Sequence, residues 1–337
     1  MIVRAWRDGW RRVWCAPAIL AGVVATTIVM AIPFALTLRG ALAANLGRSA
    51  MAGQVADGVS YDWWQEFLSQ ATGLGSTFTP TIIGFASTLD GLSSVLDRSG
   101  EIAPIAAAVA AYLLVWIFLA GGIVDRYARQ RPTRGHGFFA ACGVYFFRFL
   151  RLGVVAGALY WWLFAYVHRW LFTDLYRTMT SGLSVEREAF AWRVALYLLF
   201  GAALVLVNIW MDYAKVRAVV EDRRSMLGAL LSSWRYVVAR PGRVFGLYAL
   251  NAGTFLALVA AWAALAPGVG GTGVRMWLAF GLSQAYLLAR LALKLHFLAS
   301  QTALFQASLA HATYAARPSP TWPESPSAEL IGPSRIL

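Results

Sequence analysis

The chain has 337 residues, of which 59% are hydrophobic and 13% are charged. Its mean hydropathy is +0.59, whereas a soluble domain carries about 25% charged residues. This composition excludes an ordinary soluble protein and indicates a membrane protein. The net charge of +13 would also suit a nucleic-acid-binding protein, so the positions of the charged residues have to decide between the two classes.

Six apolar runs are long enough to cross a bilayer, since a hydrocarbon core of about 30 Å requires roughly 20 helical residues. The predicted spans are 18–38, 103–124, 152–172, 190–211, 244–266 and 274–296. Segment 39–102 is predicted to be an outer interfacial insertion. Residues 1–316 would then form one integral membrane domain. The proline-rich segment 317–337 is predicted to be a disordered cytoplasmic tail.

A secretory signal peptide is the alternative interpretation of residues 1–43, because Ala41-Leu42-Ala43 resembles a cleavage site. The apolar run before it is longer than the usual 7–15 residues of a signal peptide, and its leader is rich in tryptophan. Both features favour a retained first span.

Basic residues concentrate in three segments, which hold four (1–17), six (125–151) and seven (212–243) arginines and lysines. Segment 39–102 has three arginines and six acidic residues. Cytoplasmic loops retain lysine and arginine, so both termini and both basic loops are predicted to be cytoplasmic, in a bacterial inner membrane. The basic charge is therefore expected to meet anionic lipid headgroups, and no nucleic acid is predicted as a partner.

A Trp/Arg-rich stretch precedes three of the runs, beginning at Trp10 in the first copy, covering Phe146–Arg151 in the second and beginning at Trp234 in the third. In the first and third copies a proline, Pro17 or Pro241, follows the tryptophan by seven residues. Such a repeat indicates one structural unit used several times. The predicted fold is therefore all-α, with about six transmembrane helices in three hairpins, each introduced by an amphipathic cytoplasmic elbow helix. The predicted membrane-surface anchors are Trp10, Arg11, Arg12, Arg148, Arg151, Trp234, Arg235, Arg240 and Arg243.

Four ionisable residues are placed near the inner ends of spans, where a charge is usually paired or extends to the membrane surface. They are Asp125, Asp212, Arg290 and Lys294. An ion pair between Asp125 or Asp212 and Arg290 is one hypothesis, and its most specific form pairs Asp212 with Arg290 or Lys294. Extension of the two basic side chains to the surface is the simpler one, and a proton or substrate relay is the third.

Asn208 and Asn251 lie within spans and are expected to form hydrogen bonds between helices. The sequence contains no HExxH, GxSxG or Walker motif, and its two cysteines and four histidines do not have the spacing of a metal site. No catalytic residue, metal or cofactor is predicted.

Residues 212–235 combine a hydrophobic-acidic stretch, a Leu-rich elbow and a Trp/Arg pair before a span. The region 210–250, and to a lesser extent 125–160, resembles bacterial polytopic proteins of unknown function and the membrane domain attached to some glycerophosphodiester phosphodiesterases. The resemblance implies an elbow-linked bundle without known catalytic residues.

The leading functional hypothesis is a non-enzymatic scaffold, accessory subunit or lipid-interacting bundle with possible membrane-protein partners. The alternatives are a small transporter with a polar path near Asp125, Asn208, Asp212 and Arg290, and a membrane-embedded lipid enzyme.

Overall fold

The computed structural model describes residues 1–47, 49–57, 60–72, 75, 106–265 and 273–310, and within these ranges it contains helices and no strand. The helices are α1 (Ile2–Trp14), α2 (Pro17–Leu46), α3 (Ala52–Asp57), α4 (Tyr61–Gln70), α5 (Ala106–Arg129), α6 (Gly135–Trp162), α7 (Tyr176–Thr180), α8 (Glu186–Val220), α9 (Met226–Ala239), α10 (Pro241–Leu265) and α11 (Val274–Ala310). In this described part of the chain, six helical segments are long and apolar enough to span a membrane. The predicted all-α polytopic membrane fold is confirmed.

Three spanning helices form the centre of the bundle, because α5, α8 and α11 each contact the other two. Many of the side chains that these helices bury completely at this centre are apolar. They include Ile123, Val124, Ile209, Val216, Leu295, Ala299 and Leu304. Helix α11 also contacts α1, α2 and α10, so the last span holds the first and fifth spans in place.

Each Trp/Arg-rich stretch lies against one of these central helices, and these are the three most extensive helix contacts of the molecule. Helix α1 lies on α11, the beginning of α6 lies on α5, and α9 lies on α8. Small residues permit the close approach. Gly9 of α1 faces Ser300, and Gly122 of α5 faces Cys142 of α6. We call the end of the bundle that carries α1 and α9 the elbow end.

The first and third elbows end in the same backbone geometry. Ala16, which precedes Pro17, has φ −135° and ψ 57°, and Arg240, which precedes Pro241, has φ −137° and ψ 51°. Proline disfavours a helical conformation in the preceding residue but is well accommodated at the first position of a helix. In these two copies proline therefore ends the elbow helix and begins the spanning helix at equivalent positions.

The second elbow differs from the prediction. Helix α6 runs without a break through Phe146–Arg151, and two π-helical segments, Leu163–His168 and Trp170–Leu175, connect it to α7. The whole forms one segment of 46 residues. A separate helix before residue 152 is therefore wrong, and the reason is that no proline interrupts the chain there.

The observed spans are also longer than the predicted runs. Helix α2 extends to Leu46, α8 to Val220 and α11 to Ala310, because helical hydrogen bonding continues where apolar composition stops. In the predicted outer insertion, α4 is held against α2 by a 2.9 Å hydrogen bond from Trp63 Nε1 to Asn45 Oδ1. Residues 76–102 of that insertion and the predicted tail 317–337 lie outside the described residues.

Candidate anion-binding cleft

Asp212 has partners other than those predicted. Its Oδ1 lies 2.6 Å from Lys215 Nζ, on the next turn of α8. Its Oδ2 accepts a hydrogen bond of 3.1 Å from Gln301 Nε2 of α11. The predicted pairing of Asp212 with Arg290 or Lys294 is therefore wrong, because Asp212 is buried and faces α11, where the amide of Gln301 reaches it.

Arg290 and Lys294 occupy the exterior of the bundle, which is why they do not pair with the inward-facing Asp212. Lys294 Nζ lies 3.4 Å from the centroid of the Trp116 ring and 3.5 Å from Tyr112 OH. A cation over an indole face is a favourable arrangement. Extension of the two basic side chains to the membrane surface stays a prediction, because the contacts of Lys294 are with aromatic side chains of α5.

The other predicted polar residues form local or interhelical contacts. Asp125 is buried and accepts a 2.9 Å hydrogen bond from Arg129 Nε one turn later on α5. Asn208 Nδ2 donates to Tyr248 OH of α10 at 2.9 Å. Asn251 Nδ2 donates to Ser300 Oγ of α11 at 2.9 Å. The structure therefore distributes Asp125, Asn208 and Arg290 over separate surroundings and does not assemble them into one path.

Arg12 was predicted to anchor the membrane surface, but it is buried between α1, α5 and α11. Its Nη1 donates to the carbonyl oxygen of Tyr127 at 2.9 Å and to Gln306 Oε1 at 2.8 Å. Its Nε donates to Asp8 Oδ2 at 2.8 Å. Burial lowers the pKa of the Arg12 guanidinium, and the charge of Asp8 acts in the opposite direction. Arg12 therefore fastens α1 to the end of α5.

Trp10 is half-buried and also packs inward. Its ring is stacked on the fully buried His296 of α11 at 4.3 Å between centroids. Trp6 approaches the same imidazole edge-on at 5.5 Å. The aromatic residues of the first elbow thus dock α1 on α11.

Arg148 joins two basic segments. Its Nη1 lies 2.6 Å from Asp222 Oδ1 in the turn before α9, and its guanidinium lies over the Tyr145 ring. Trp234 packs edge-on against Trp210 of α8 at 5.4 Å. The remaining predicted anchors are at least partly exposed at the elbow end. They are Arg11, Arg151, Arg235, Arg240 and Arg243.

A half-open cleft of about 520 Å³ lies at the elbow end between the end of α8, α9 and the end of α11. Four arginines line it: Arg217, Arg223, Arg235 and Arg240. Apolar side chains form the rest of its wall, among them Leu231, Phe305 and Leu309. The cleft therefore combines positive charge with an apolar surface.

One carboxylate serves two of the four arginines. Glu221 accepts from Arg217 Nε at 2.9 Å and from Arg223 Nε. Arg217 Nη1 also donates to the carbonyl oxygen of Ser232 at 2.6 Å. Four guanidinium groups and one carboxylate leave the cleft with a net charge of +3.

Arg235 and Arg240 contribute two of these three charges, and the third remains on Arg217 and Arg223, which share Glu221. Arg235 is exposed, and the Arg240 guanidinium lies 5.1 Å from the centroid of the Tyr236 ring. Neither has a carboxylate partner among the described residues. Their N–H donors are therefore available to an anion, which a guanidinium can bind in a bidentate manner.

Tyr236 forms the floor of the cleft. Its OH lies 3.0 Å from Ser308 Oγ, and Ser308 Oγ donates to the carbonyl oxygen of Leu304, so the tyrosine is the donor of the pair. Burial raises the pKa of the Tyr236 phenol, although this hydrogen bond and nearby arginines oppose that shift. A neutral, hydrogen-bonded floor leaves the positive charge of the walls intact.

A smaller cleft of about 220 Å³ lies beside α1 and is lined by Arg11, Arg12, Cys15, Arg126, Tyr127 and Gln130. When Trp10 is aligned with Trp234, three lining residues of this cleft, Arg11, Arg12 and Cys15, correspond to Arg235, Tyr236 and Ala239. Those three residues line the larger cleft. The same elbow positions therefore form a cleft twice. In the smaller cleft Arg12 points inward. In the larger cleft Tyr236 occupies the equivalent position and forms the floor.

Sequence reasoning did not identify Gln301, Gln306 or the Tyr236–Ser308 pair. The polar residues of α11 lie beyond the predicted end of the last span at residue 296, where apolar composition no longer indicates an interior position. The alignment of Arg12 with Tyr236 was the available signal, since equivalent positions of a repeat face the same way.

No family model, curated protein or solved structure matches the chain.

Proposed function

We propose that this chain is a non-enzymatic, multi-pass protein of the bacterial inner membrane that binds anionic lipid headgroups with its cytoplasmic elbow end. The observation that carries the proposal is the cleft between α8, α9 and α11, with its net charge of +3. A basic surface next to a membrane attracts anionic headgroups by about 1 kcal/mol per residue.

The positions of the basic residues support the orientation. The elbow end carries the three segments that hold seventeen arginines and lysines, and such residues mark the cytoplasmic side. The resemblance to the membrane domain attached to some glycerophosphodiester phosphodiesterases is compatible with this role. In such a role the bundle would act as a scaffold or accessory subunit for membrane-protein partners.

A transporter is less well supported than a lipid-binding bundle. Transporters commonly have broken helices and polar groups close to the membrane midplane. In this chain Asp125 is paired with Arg129, Asn208 with Tyr248 and Asp212 with Lys215, while Arg290 lies on the exterior. The polar side chains proposed to line a transport path therefore bond to other residues or, in the case of Arg290, lie outside the bundle.

Thermal unfolding of the purified full-length protein in detergent tests the proposal. We expect phosphatidylglycerol to raise the Tm and zwitterionic phosphatidylethanolamine to have a much smaller effect. Because screened charges interact weakly, the difference should shrink in high salt. Equal stabilisation by the two lipids at low salt would contradict the proposal.

A further inference from the structure

The larger cleft has the features of a specific site, in addition to the general charge of the elbow end. It is concave, and α11 forms one of its walls. Its arginines come from α8, α9, the turn between them and position 240, directly after α9. A site formed by several helices holds its ligand in a defined position, whereas a charged helix surface attracts any anion. The charge and the apolar wall of the cleft indicate which anionic group it binds.

The arginines of the cleft divide into two pairs with different roles. Arg217 is fixed by Glu221 and the carbonyl oxygen of Ser232, and its guanidinium lies 5.7 Å from the centroid of the Phe305 ring. Arg223 shares Glu221. Glu221 therefore neutralises part of the charge of this pair, whereas Arg235 and Arg240 have no carboxylate partner among the described residues and can contact a ligand.

The charge of the cleft favours a phosphate monoester. A monoester phosphate carries about −1.5 to −2 charges at neutral pH and offers three acceptor oxygens. Two guanidinium forks match such a group well, because bidentate arginine contacts are strong and geometrically specific. A diester phosphate, with a single charge, would compensate less of the net charge of +3.

The apolar wall indicates that the ligand is a lipid. Leu231, Phe305 and Leu309 line the cleft together with the arginines, and Leu231 is an exposed large apolar side chain. An amphiphile can place its phosphate between the arginines and its glycerol and first acyl carbons on this wall. Free phosphate would leave that surface in water.

We infer that the cleft between α8, α9 and α11 is a binding site for the phosphate monoester headgroup of an anionic phospholipid, with Arg235 and Arg240 as its phosphate ligands. The inference rests on the proposed lipid-binding function and names the headgroup that this function selects. The smaller cleft at the equivalent positions of α1 supports it, because it shows that the elbow repeat forms such a recess independently.

The test is a titration of the full-length protein in detergent with short-chain phosphatidic acid, phosphatidylglycerol or inorganic phosphate, followed by the Tm. The test variant is the double substitution Arg235→Gln and Arg240→Gln. The matched control is Arg131→Gln with Arg134→Gln, which removes two exposed charges from the loop between α5 and α6. Lysine at positions 235 and 240 provides a second variant that keeps the charge but loses the guanidinium fork.

We expect phosphatidic acid to bind the wild type more tightly than phosphatidylglycerol. The glutamine variant at 235 and 240 should bind phosphatidic acid about tenfold more weakly or worse, since charge-assisted hydrogen bonds are lost. The lysine variant should fall between it and the wild type, and the control should resemble the wild type.

Other outcomes would overturn the inference in distinguishable ways. If the test variant and the control lose affinity for phosphatidic acid equally, the elbow end attracts lipids by its general charge and has no specific site. The proposed function would still hold. Equal affinity for the two lipids would contradict the preference for a phosphate monoester. An equal rise of the Tm with inorganic phosphate would contradict a lipid as the ligand. No response of the wild type to either anionic lipid would overturn the proposed function as well.

Discussion

Arg12 Nη1 donates to Gln306 Oε1 at 2.8 Å, across 294 positions of the chain. Both side chains also bond to the last turn of α5, Arg12 to the carbonyl oxygen of Tyr127 and Gln306 to that of Ala128. The last carbonyl groups of a helix have no partner within it. The first and last described helices thus cap a central one together.

Replacement of Arg12 by methionine should strongly destabilise the bundle. The substitution keeps much of the side-chain length but leaves the Tyr127 carbonyl group and Gln306 Oε1 without their arginine donor, and it removes one of the two arginine partners of Asp8. Because hydrogen bonds to a charged group contribute about 1.5–3 kcal/mol each, we expect a loss of about 3 kcal/mol or more. Thermal unfolding in detergent measures it. Arg11→Met is the control: Arg11 is exposed, so its loss should cost less than about 1 kcal/mol. Equal effects would show that Arg12 is not a structural clamp.

Alanine at Gly9 should separate α1 from α11. A Cβ atom there would lie 2.7 Å from Ser300 Cβ and 2.9 Å from Ser300 Cα, and overpacking of this kind costs about 1–3 kcal/mol. We expect a lower Tm and faster proteolysis of α1. Gly22→Ala is the matched control, because nothing lies within 4 Å of its new methyl group. A Gly9→Ala variant as stable as the control would contradict the observed contact.

Asp212 and Gln301 should be energetically coupled. In a double-mutant cycle with Asp212→Ala and Gln301→Ala, the double variant should lose less stability than the sum of the single variants, by about 0.5 kcal/mol or more. The same cycle with Arg290→Gln in place of Gln301→Ala should be additive, since Arg290 lies on the exterior. Coupling to Arg290 and additivity with Gln301 would reverse this assignment of partners.

Cysteine labelling tests the proposed orientation. In a background with Cys15→Ser and Cys142→Ala, the exposed loop residues Thr133 and Ser181 offer one site at each end of the bundle. An impermeant maleimide added to intact cells should label Ser181→Cys and not Thr133→Cys, because the basic segments are expected to stay inside. Labelling of Thr133→Cys alone would place the elbow end outside.

The elbow repeat shows how far sequence reasoning reached. The spacing of Trp10 and Pro17, repeated at Trp234 and Pro241, correctly indicated two elbows of one kind. The stretch Phe146–Arg151 has similar composition but no proline, and there the chain continues as one helix. Composition alone thus predicted a helix break before residue 152 that the structure does not have. The breaks before Pro17 and Pro241 are present, because proline acts on the local backbone through a steric effect.

The sequence by itself determined that this is an all-α membrane protein with six spanning helices, because apolar length and proline positions act locally along the chain. It also supplied Arg235 and Arg240 as exposed basic residues. Only the tertiary structure decided which helix each elbow lies on, that Arg12 points inward, and that Gln301 rather than Arg290 reaches Asp212. Those outcomes depend on which face of a helix meets another helix, and residues of one composition can face the interior or the exterior depending on how distant segments pack.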